Sequence, residues 1–170
     1  GWSGLGTGLL VMDGSTVMRA ASSGVHVLGG RQVQMSRTRV LGSGSHGVYV
    51  SEASSSVQVT DTHVLGSGSH GIYVSQASSS VQVAGPHVVD SATDGIYVQG
   101  SGGSVGVDLS SSNVTGSGAH GIEVTGSGQF TRITGTVVAR SAQDGVRVTG
   151  DGQVVVEDVS VRSSGAREEQ

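Results

Sequence analysis

Length, composition and charge exclude several classes of protein before any motif is considered. The chain has 170 residues and a net charge of −4, with 30 glycines, one proline, no cysteine and only 3% aromatic residues. This composition leaves little material for a core of large side chains and favours short strands of small residues within one domain. Disulfides, zinc–thiolate sites and thiol nucleophiles are excluded because cysteine is absent.

Two kinds of partner are also excluded by the sequence. All nine basic residues are arginines, and no cationic stripe is available to neutralise a run of nucleic-acid phosphates. No apolar stretch approaches the roughly 18 to 20 residues that a membrane-spanning helix needs. The opening residues 1–4 lack the basic and apolar regions of a signal peptide, so we expect no signal within this chain.

One short motif recurs along the chain and defines a repeat. The tetrapeptide Gly-Val/Ile-X-Val begins at Gly47, Gly71, Gly95, Gly121 and Gly145. Successive copies are about 24 residues apart, and the interval after Gly95 is longer by two positions. A degenerate copy begins at Gly24, one repeat before the first. The repeat fills nearly the whole chain, which predicts an array of similar units.

Each unit contains three short apolar patches in a fixed order. Their apolar residues alternate with a period of two, which predicts strands rather than helices. In chain order the patches are Leu10/Met12 and Val17; Val25/Val27, Val33/Met35 and Thr38/Val40; Val48/Val50, Val57/Val59 and Thr62/Val64; Ile72/Val74, Val81/Val83 and Pro86/Val88; Ile96/Val98, Val105/Val107 and Val114; Ile122/Val124, Ile133 and Thr136/Val138; and Val146/Val148, Val154/Val156 and Val159/Val161. Gly/Ser-rich connectors such as 53–56 and 66–69 are typical of turns.

Three strands and three corners per unit resemble the repeat of the right-handed parallel β-helix family, the pectate-lyase-like superfold. The unit [His/Asp]-Gly-[Val/Ile]-X-Val looks like that family's common repeat, and the resemblance covers roughly residues 9 to 162. It implies an all-β, right-handed parallel β-helix solenoid with about six to seven coils of ~24 residues and three short strands per coil. We therefore expect one solenoid domain over residues 1–162 and a polar C-terminal tail over residues 163–170.

Two details of the repeat predict local structure. The repeat glycine should form a corner in the left-handed backbone conformation, which glycine adopts without strain. The coil after Gly95 is two residues longer, and counting between Val107 and Val114 places the extra residues in segment 108–113. We expect a small bulge at that corner.

Stacked coils would align residues one repeat apart, and the position before the repeat glycine gives a first column. This turn column consists of Ser23, His46, His70, Asp94, His120 and Asp144. Its simplest interpretation is a set of turn residues that bond the local backbone. A second is a charge-assisted stack in which each acid favours a protonated histidine, so that stability depends on pH. A third is metal capture, although a straight column would have to bend its side chains to surround an ion.

The X position of the motif gives a second column, which faces outward. This outward column consists of His26, Tyr49, Tyr73, Tyr97, Glu123 and Arg147. Side-chain stacking, worth roughly 0.5 to 1.5 kcal/mol per aromatic pair, and the opposite charges of its last two members give it a structural explanation. The resemblance implies a functional one, a platform for sugar rings on the face where carbohydrate-active members bind polysaccharide. Contact with another protein is a third interpretation.

No complete catalytic set appears in the sequence. Lyases and epimerases of the resembled family need acids with a Lys, Arg, His or Tyr base on an outer face, and hydrolases need clustered carboxylates. Lysine is absent, the outer acids are spread over different columns, and the Asp-Pro-His sequence of mannuronan epimerases is missing. We assign no catalytic residue, cofactor or metal, and the best enzymatic set by adjacency is Tyr73, Tyr97, Glu123 and Arg147.

Two functions of different classes remain. The first is a non-enzymatic structural or adhesive β-helical segment of a cell-surface, secreted or filament protein, which the identical hexapeptides at 42–47 and 66–71 favour. The second is a carbohydrate-binding or carbohydrate-modifying β-helix of lyase or epimerase type that uses the tyrosine face. The expected partners are polysaccharide, other surface proteins or further copies in end-to-end contact. The Lys-free, Gly/Ser/Val/Arg-rich composition favours a bacterial protein located outside the cell or on its surface.

Overall fold

The strands form three parallel sheets in this computed structural model, which describes residues 1–5, 8–29, 31–52, 56–102, 105–127 and 130–164. Each sheet has seven strands, and every strand pairs with its equivalents one repeat earlier and later. The chain visits the three sheets in turn and then begins the next level, so it makes about six turns between the first and last levels. This confirms the predicted parallel β-helix with three strands per coil. None of the described residues belongs to a helix long and apolar enough to cross a membrane.

The strands are short, because a solenoid unit of about 24 residues has to contain three of them and three corners. Sheet A contains β1 (Trp2–Leu5), β4 (Val25–Leu28), β7 (Val48–Ser51), β10 (Ile72–Ala77), β13 (Ile96–Gly102), β16 (Ile122–Ser127) and β19 (Val146–Thr149). Sheet B contains β2 (Gly8–Asp13), β5 (Arg31–Ser36), β8 (Val57–Thr60), β11 (Val81–Ala84), β14 (Gly106–Ser110), β17 (Phe130–Thr134) and β20 (Gln153–Glu157). Sheet C contains β3 (Thr16–Ala20), β6 (Arg39–Ser43), β9 (His63–Ser67), β12 (His87–Ser91), β15 (Asn113–Ser117), β18 (Val137–Ser141) and β21 (Ser160–Arg162).

The interior is filled by the alternating apolar residues that the sequence predicts. In sheet A, Val48 and Val50 pair with Ile72 and Val74, and all four side chains are fully buried. Each such residue contributes roughly 1.5 to 3 kcal/mol by leaving water. Their neighbours in sequence point outward on the same strand, because side chains alternate across a strand. The outward column is therefore fixed by the same pattern that builds the core.

The repeat glycines serve close packing rather than a left-handed corner, so that prediction was wrong. The described residues with positive φ do not include any of the five repeat glycines. A Cβ at Gly71 would lie 2.6 Å from the carbonyl oxygen of Gly95 and 2.8 Å from Ser91 Oγ. The left-handed conformation occurs at other corners, for example at Gly66 with a φ of 68° and at Asp61 with a φ of 47°.

The two extra residues of the longer coil lie one corner earlier than predicted. Ile72 pairs with Ile96 at the ordinary repeat distance, whereas Val81 already pairs with Val107, two positions beyond that distance. The insertion therefore precedes Val107, between sheets A and B, and segment 108–113 keeps the register of the coil before it. Counting failed because Val105 is buried too, and it extends the alternation by one step.

A column of small polar residues lines the inner side of sheet C. Its members are Ser43, Ser67, Ser91, Ser117 and Ser141, each at most 5% exposed. Within the described part of the chain, their hydroxyl oxygens have no hydrogen-bond partner. These serines lie against the repeat glycines, where a larger side chain would not fit. Small size, rather than hydrogen bonding, accounts for serine at this position.

The last strand ends at Arg162, the residue at which the solenoid domain was predicted to end. Most of the predicted tail, residues 165–170, lies outside the described residues. Part of the connector 53–56 lies outside them as well.

Candidate functional site

The turn column and the outward column lie side by side along sheet A. Strand pairing places Tyr49, Tyr73 and Tyr97 on successive coils, followed by Glu123 and Arg147. Backbone hydrogen bonds align the turn column in the same way, since Gly47 N–H donates to the carbonyl oxygen of the next coil's turn residue, and each later repeat glycine up to Gly121 does the same. The predicted columns therefore exist, and side chains from both face the same surface.

Stacked rings form the first half of this surface. Tyr49 lies between His26 and Tyr73, with ring centroids 4.8 and 5.0 Å apart, and Tyr97 stacks on Tyr73 at 5.0 Å. All the stacked pairs are within 15° of parallel. We call this surface, including His46 and His70, the aromatic face.

The histidines of the turn column pack into the edge of the tyrosine stack. The His46 ring lies 5.0 Å from Tyr49 and 5.1 Å from Tyr73, and the His70 ring lies 4.9 Å from Tyr73 and 5.2 Å from Tyr97. Burial and then the charges of His70 and His26 lower the pKa of His46 to about 4. His46 is therefore neutral at neutral pH, and this part of the face is apolar in character.

The hydroxyl groups of the stack are held by neighbouring side chains. Tyr73 donates a hydrogen bond to Gln99 Oε1 at 3.4 Å, and the Tyr97 hydroxyl lies 3.3 Å from Thr125 Oγ1. Burial, chiefly, raises the pKa of Tyr73, and the adjacent tyrosines add to that shift. Tyr73 therefore stays protonated at neutral pH, which makes it a hydrogen-bonding and stacking group rather than a base.

Beyond Tyr97 the surface changes from aromatic to charged. His70 Nδ1 lies 3.0 Å from Asp94 Oδ2, and the backbone N–H of His120 donates to Asp94 Oδ1 at 2.8 Å. Burial alone would raise the pKa of Asp94, but the hydrogen bonds from His70 and His120 and their charges outweigh it and hold that pKa below its usual value. Asp94 is thus an ionised carboxylate although it is only 4% exposed.

The charged end is completed by residues of the last two coils. His120 Nδ1 lies 3.4 Å from Asp144 Oδ2 and 3.2 Å from the Asp144 backbone nitrogen. With the ring proton on Nδ1, beside the Asp144 carboxylate, Nε2 accepts a hydrogen bond from Arg147 Nη1 at 3.2 Å. The same guanidinium nitrogen lies 3.6 Å from Glu123 Oε1. Donor and acceptor groups of three kinds, an imidazole, a carboxylate and a guanidinium, therefore meet at one point. We call His120, Glu123 and Arg147 the charged cluster.

The structure corrects the simplest interpretation of the turn column. The side chains of His70, Asp94 and His120 contact the backbone of the next coil rather than the local backbone, as when the His120 N–H donates to Asp94 Oδ1 at 2.8 Å. The histidine–aspartate pairs expected for a charge-assisted stack are present. Metal binding by the turn column alone would use only residues that precede the repeat glycines. In the structure, Glu123 of the outward column lies close to Asp94 and His120, so a candidate metal site uses both columns. Sequence reasoning treated the two columns separately and missed this meeting.

Comparison with known proteins agrees with the observed architecture. The family described as "Right handed beta helix region" matches residues 4–111, which is more than half of the chain. The chain belongs to this β-helix family.

Among solved structures, this β-helix is similar to the crystal structure of the periplasmic alginate epimerase AlgG, with a TM-score of 0.61 and 14% sequence identity. The alignment covers 91% of this chain and 42% of the epimerase, so the β-helix spans well under half the length of that enzyme. At this identity the likeness shows the fold alone. No curated protein sequence matches the chain.

Proposed function

We propose that this β-helix binds a polysaccharide along the aromatic face and modifies it by proton transfer at the charged cluster, as a lyase or epimerase would. One observation carries the proposal: the stack of Tyr49, Tyr73 and Tyr97 runs without a break into the charged cluster. The similarity in fold to a periplasmic alginate epimerase supports carbohydrate chemistry over a purely structural role. It also supports a location in the periplasm or outside the cell.

Binding would rely on the apolar faces of sugar rings packing on tyrosine. The three tyrosines are half-buried and held in place by their neighbours, so little side-chain entropy is lost when a ligand binds. Tyrosine combines an apolar ring with a hydroxyl group, which suits a sugar with one apolar and one polar side. The neutral His46 adds to this surface without adding charge.

The chemistry would require an acidic sugar, because the charged cluster offers a guanidinium. A sugar carboxylate paired with Arg147 would draw its guanidinium away from His120 Nε2, which it now contacts. His120 Nε2 would then be free to accept the proton from the sugar carbon next to that carboxylate. The electron pair left on carbon would be stabilised through the neutralised carboxylate. Return of a proton from water to the opposite face of that carbon would give the epimer. Departure of the glycosidic oxygen from the neighbouring carbon, with the proton taken back from His120, would give a double bond.

Binding is tested first with Tyr73→Ala. Removing one ring from the centre of the platform should weaken binding to acidic polysaccharides by about 1–2 kcal/mol, a factor of roughly 5 to 30, since aromatic anchors dominate such interfaces. Tyr73→Phe should keep most of the affinity. Leu65→Ala is the matched control, because Leu65 is 47% exposed on sheet C. Isothermal titration calorimetry with polyuronates of different composition measures the affinity of all three variants. Equal affinity of Tyr73→Ala and wild type would count against the aromatic face as the binding site.

Proton transfer is tested in D₂O. Wild-type protein should introduce deuterium at the carbon next to the carboxylate of a polyuronate, or an ultraviolet-absorbing double bond, both measurable by NMR and absorbance. Arg147→Gln should abolish this reaction, whereas Arg140→Gln, which changes another exposed arginine, should not. Binding without deuterium exchange or a double bond would reduce the proposal to a binding module.

A second candidate is a structural or adhesive segment that associates end to end. The identical hexapeptides at 42–47 and 66–71 favour it, because they occupy equivalent positions of adjacent coils and make these coils nearly the same. Electron microscopy of purified protein should then show rods longer than one chain. A monodisperse monomer at all concentrations would exclude this candidate.

A further inference from the structure

Three metal-binding side chains converge where the two columns meet. Asp94, His120 and Glu123 each offer one ligand atom, and these atoms all lie within 4.8 Å of one another. Asp94 and His120 are 4% and 5% exposed, and the Glu123 side chain is 15% exposed. Two carboxylates and an imidazole at this depth form a pre-shaped donor set rather than a chance surface cluster.

We propose that Asp94, His120 and Glu123 form a binding site for one transition-metal dication of the Zn²⁺ type. Imidazole nitrogen and carboxylate oxygen both bind Zn²⁺ at about 2.0–2.2 Å, so two ligands of a tetrahedral ion are about 3.4 Å apart. The present separations require the side chains to close by roughly an ångström. An imidazole ligand favours this class of ion over Ca²⁺, which takes oxygen ligands. Three protein ligands leave a fourth position for water or another ligand.

The surroundings of the donor set match those of a metal site. A metal-binding histidine usually has its other ring nitrogen fixed by a carboxylate or the backbone. His120 has this arrangement when Nδ1 carries the ring proton, because Nδ1 lies 3.4 Å from the Asp144 carboxylate, which can accept it. Asp94 is oriented in turn by His70 at 3.0 Å and by the His120 backbone N–H at 2.8 Å. His120 Nε2 is left to face the cluster.

The Arg147 guanidinium contacts two of the three proposed ligand side chains, those of His120 and Glu123. Its Nη1 lies 3.2 Å from His120 Nε2 and 3.6 Å from Glu123 Oε1, so the guanidinium supplies the positive charge that the donor set attracts. The Arg147 side chain is 47% exposed and can turn toward solvent. A dication and a guanidinium would repel each other at this distance. The metal therefore displaces Arg147, and removing Arg147 should tighten metal binding.

This inference does not rest on the proposed action on polysaccharide. Metal binding requires only the three side chains, whereas sugar binding requires the tyrosines. The two proposals share His120 and Arg147, and Arg147→Gln separates them, because it should abolish proton transfer but tighten Zn²⁺ binding.

The experiment is a metal titration of untagged full-chain protein after removal of metal with EDTA. ZnCl₂ added against a competing chelator should show one high-affinity site per chain, and Co²⁺ should give visible absorption bands of a four-coordinate ion. Glu123→Gln should weaken Zn²⁺ binding at least tenfold, and Arg147→Gln should tighten it about tenfold. The matched control is His63→Gln, an exposed histidine on sheet C that should change nothing. Circular dichroism checks that each variant is folded.

Three results would overturn the proposal. One is the absence of Zn²⁺ binding in both wild type and Arg147→Gln. Another is binding that survives Glu123→Gln but is lost in His63→Gln, which would place the ion on sheet C. The third is a preference for Ca²⁺ over Zn²⁺. Glu123 is an outward residue of β16, so its substitution should not prevent folding. The test therefore remains decisive even if a substitution at buried Asp94 prevents folding.

Discussion

Replacing single glycines with alanine separates two reasons for glycine in this repeat, and a third glycine with neither serves as the comparison. Gly71 has no room for a Cβ, which would lie 2.6 Å from the Gly95 carbonyl oxygen and 2.8 Å from Ser91 Oγ. Gly66 has room, since the nearest atom is 4.0 Å away, but its φ of 68° is left-handed. Gly106 has neither constraint, because nothing lies within 4 Å and its φ is not positive.

The expected costs differ in size and sign. Gly71→Ala should cost about 1–3 kcal/mol through overpacking. The displaced Gly95 carbonyl oxygen accepts a hydrogen bond from Ile72 N–H at 3.0 Å, and weakening that bond adds about 0.5–1.5 kcal/mol. Gly66→Ala should cost about 1–2 kcal/mol, the usual strain of a left-handed alanine. Gly106→Ala should be neutral or stabilise the protein by up to about 1 kcal/mol, since it restricts the unfolded chain.

Urea unfolding followed by circular dichroism measures these three variants against wild type. The comparison uses free energies of unfolding only where the dependence on urea keeps the same slope, because solenoids can unfold in stages. The order Gly71→Ala, Gly66→Ala, Gly106→Ala, from most to least destabilised, is the expected result. If Gly71→Ala is no more destabilising than Gly106→Ala, close packing is not the reason for the repeat glycine.

Three further predictions concern pH and the buried hydroxyls. The pKa of His46 is about 4, lowered chiefly by burial, so stability should decrease as pH falls from about 6.5 to 4. The full pKa shift corresponds to about 3 kcal/mol of stability, which partial exposure of the side chain reduces to about 1–2 kcal/mol. The free energy of unfolding should fall by this amount between pH 7 and 4.5 in wild type but not in His46→Asn. The pKa of Asp13 is about 2, lowered chiefly by its hydrogen bond with Arg37, so this pair contributes stability above pH 3.8 that is lost as pH falls through 2. In Asp13→Asn the thermal unfolding temperature should depend less on pH across that acid range. The same pH dependence in wild type and variant would show that the Asp13–Arg37 pair does not contribute to acid stability. Ser91→Ala should leave stability unchanged or raise it by up to about 1 kcal/mol, because the Ser91 hydroxyl is buried without a partner among the described residues, and a clear loss in urea unfolding would reveal a hidden partner.

The columns could be predicted from sequence because they depend only on two periods. A period of two within each strand decides which side chains face outward, and a spacing of about 24 residues decides which of them align. Tyr73 therefore lies between Tyr49 and Tyr97 as predicted. Neither period depends on detailed side-chain packing, so both columns follow from the sequence alone.

The meeting of the two columns could not be predicted by counting. Whether His46 packs between Tyr49 and Tyr73 depends on the angle at which its side chain leaves the corner. The same limit applies to the charged cluster, where Arg147 reaches across one coil to His120. Side-chain direction at a corner depends on backbone dihedral angles, and a repeat pattern does not contain them.

The misplaced insertion and the misread glycine share a different cause. An alternating run such as Val105, Val107 and Leu109 fits two registers equally well, and only pairing with Val81 decides between them. Glycine is compatible with both left-handed backbone and tight packing, and Gly71 shows the second. In both cases one sequence pattern had two physical explanations.

The length of the tyrosine stack can change only in steps of one coil, because each coil contributes one ring. Deleting residues 48–71 would join Gly47 directly to Ile72, and every remaining residue would keep its column while the stack became one ring shorter. Duplicating the same segment would lengthen it by one ring. The identical hexapeptides at 42–47 and 66–71 fit such copying at the level of the gene. The number of rings available to a ligand can therefore change between generations without any new residue having to be selected.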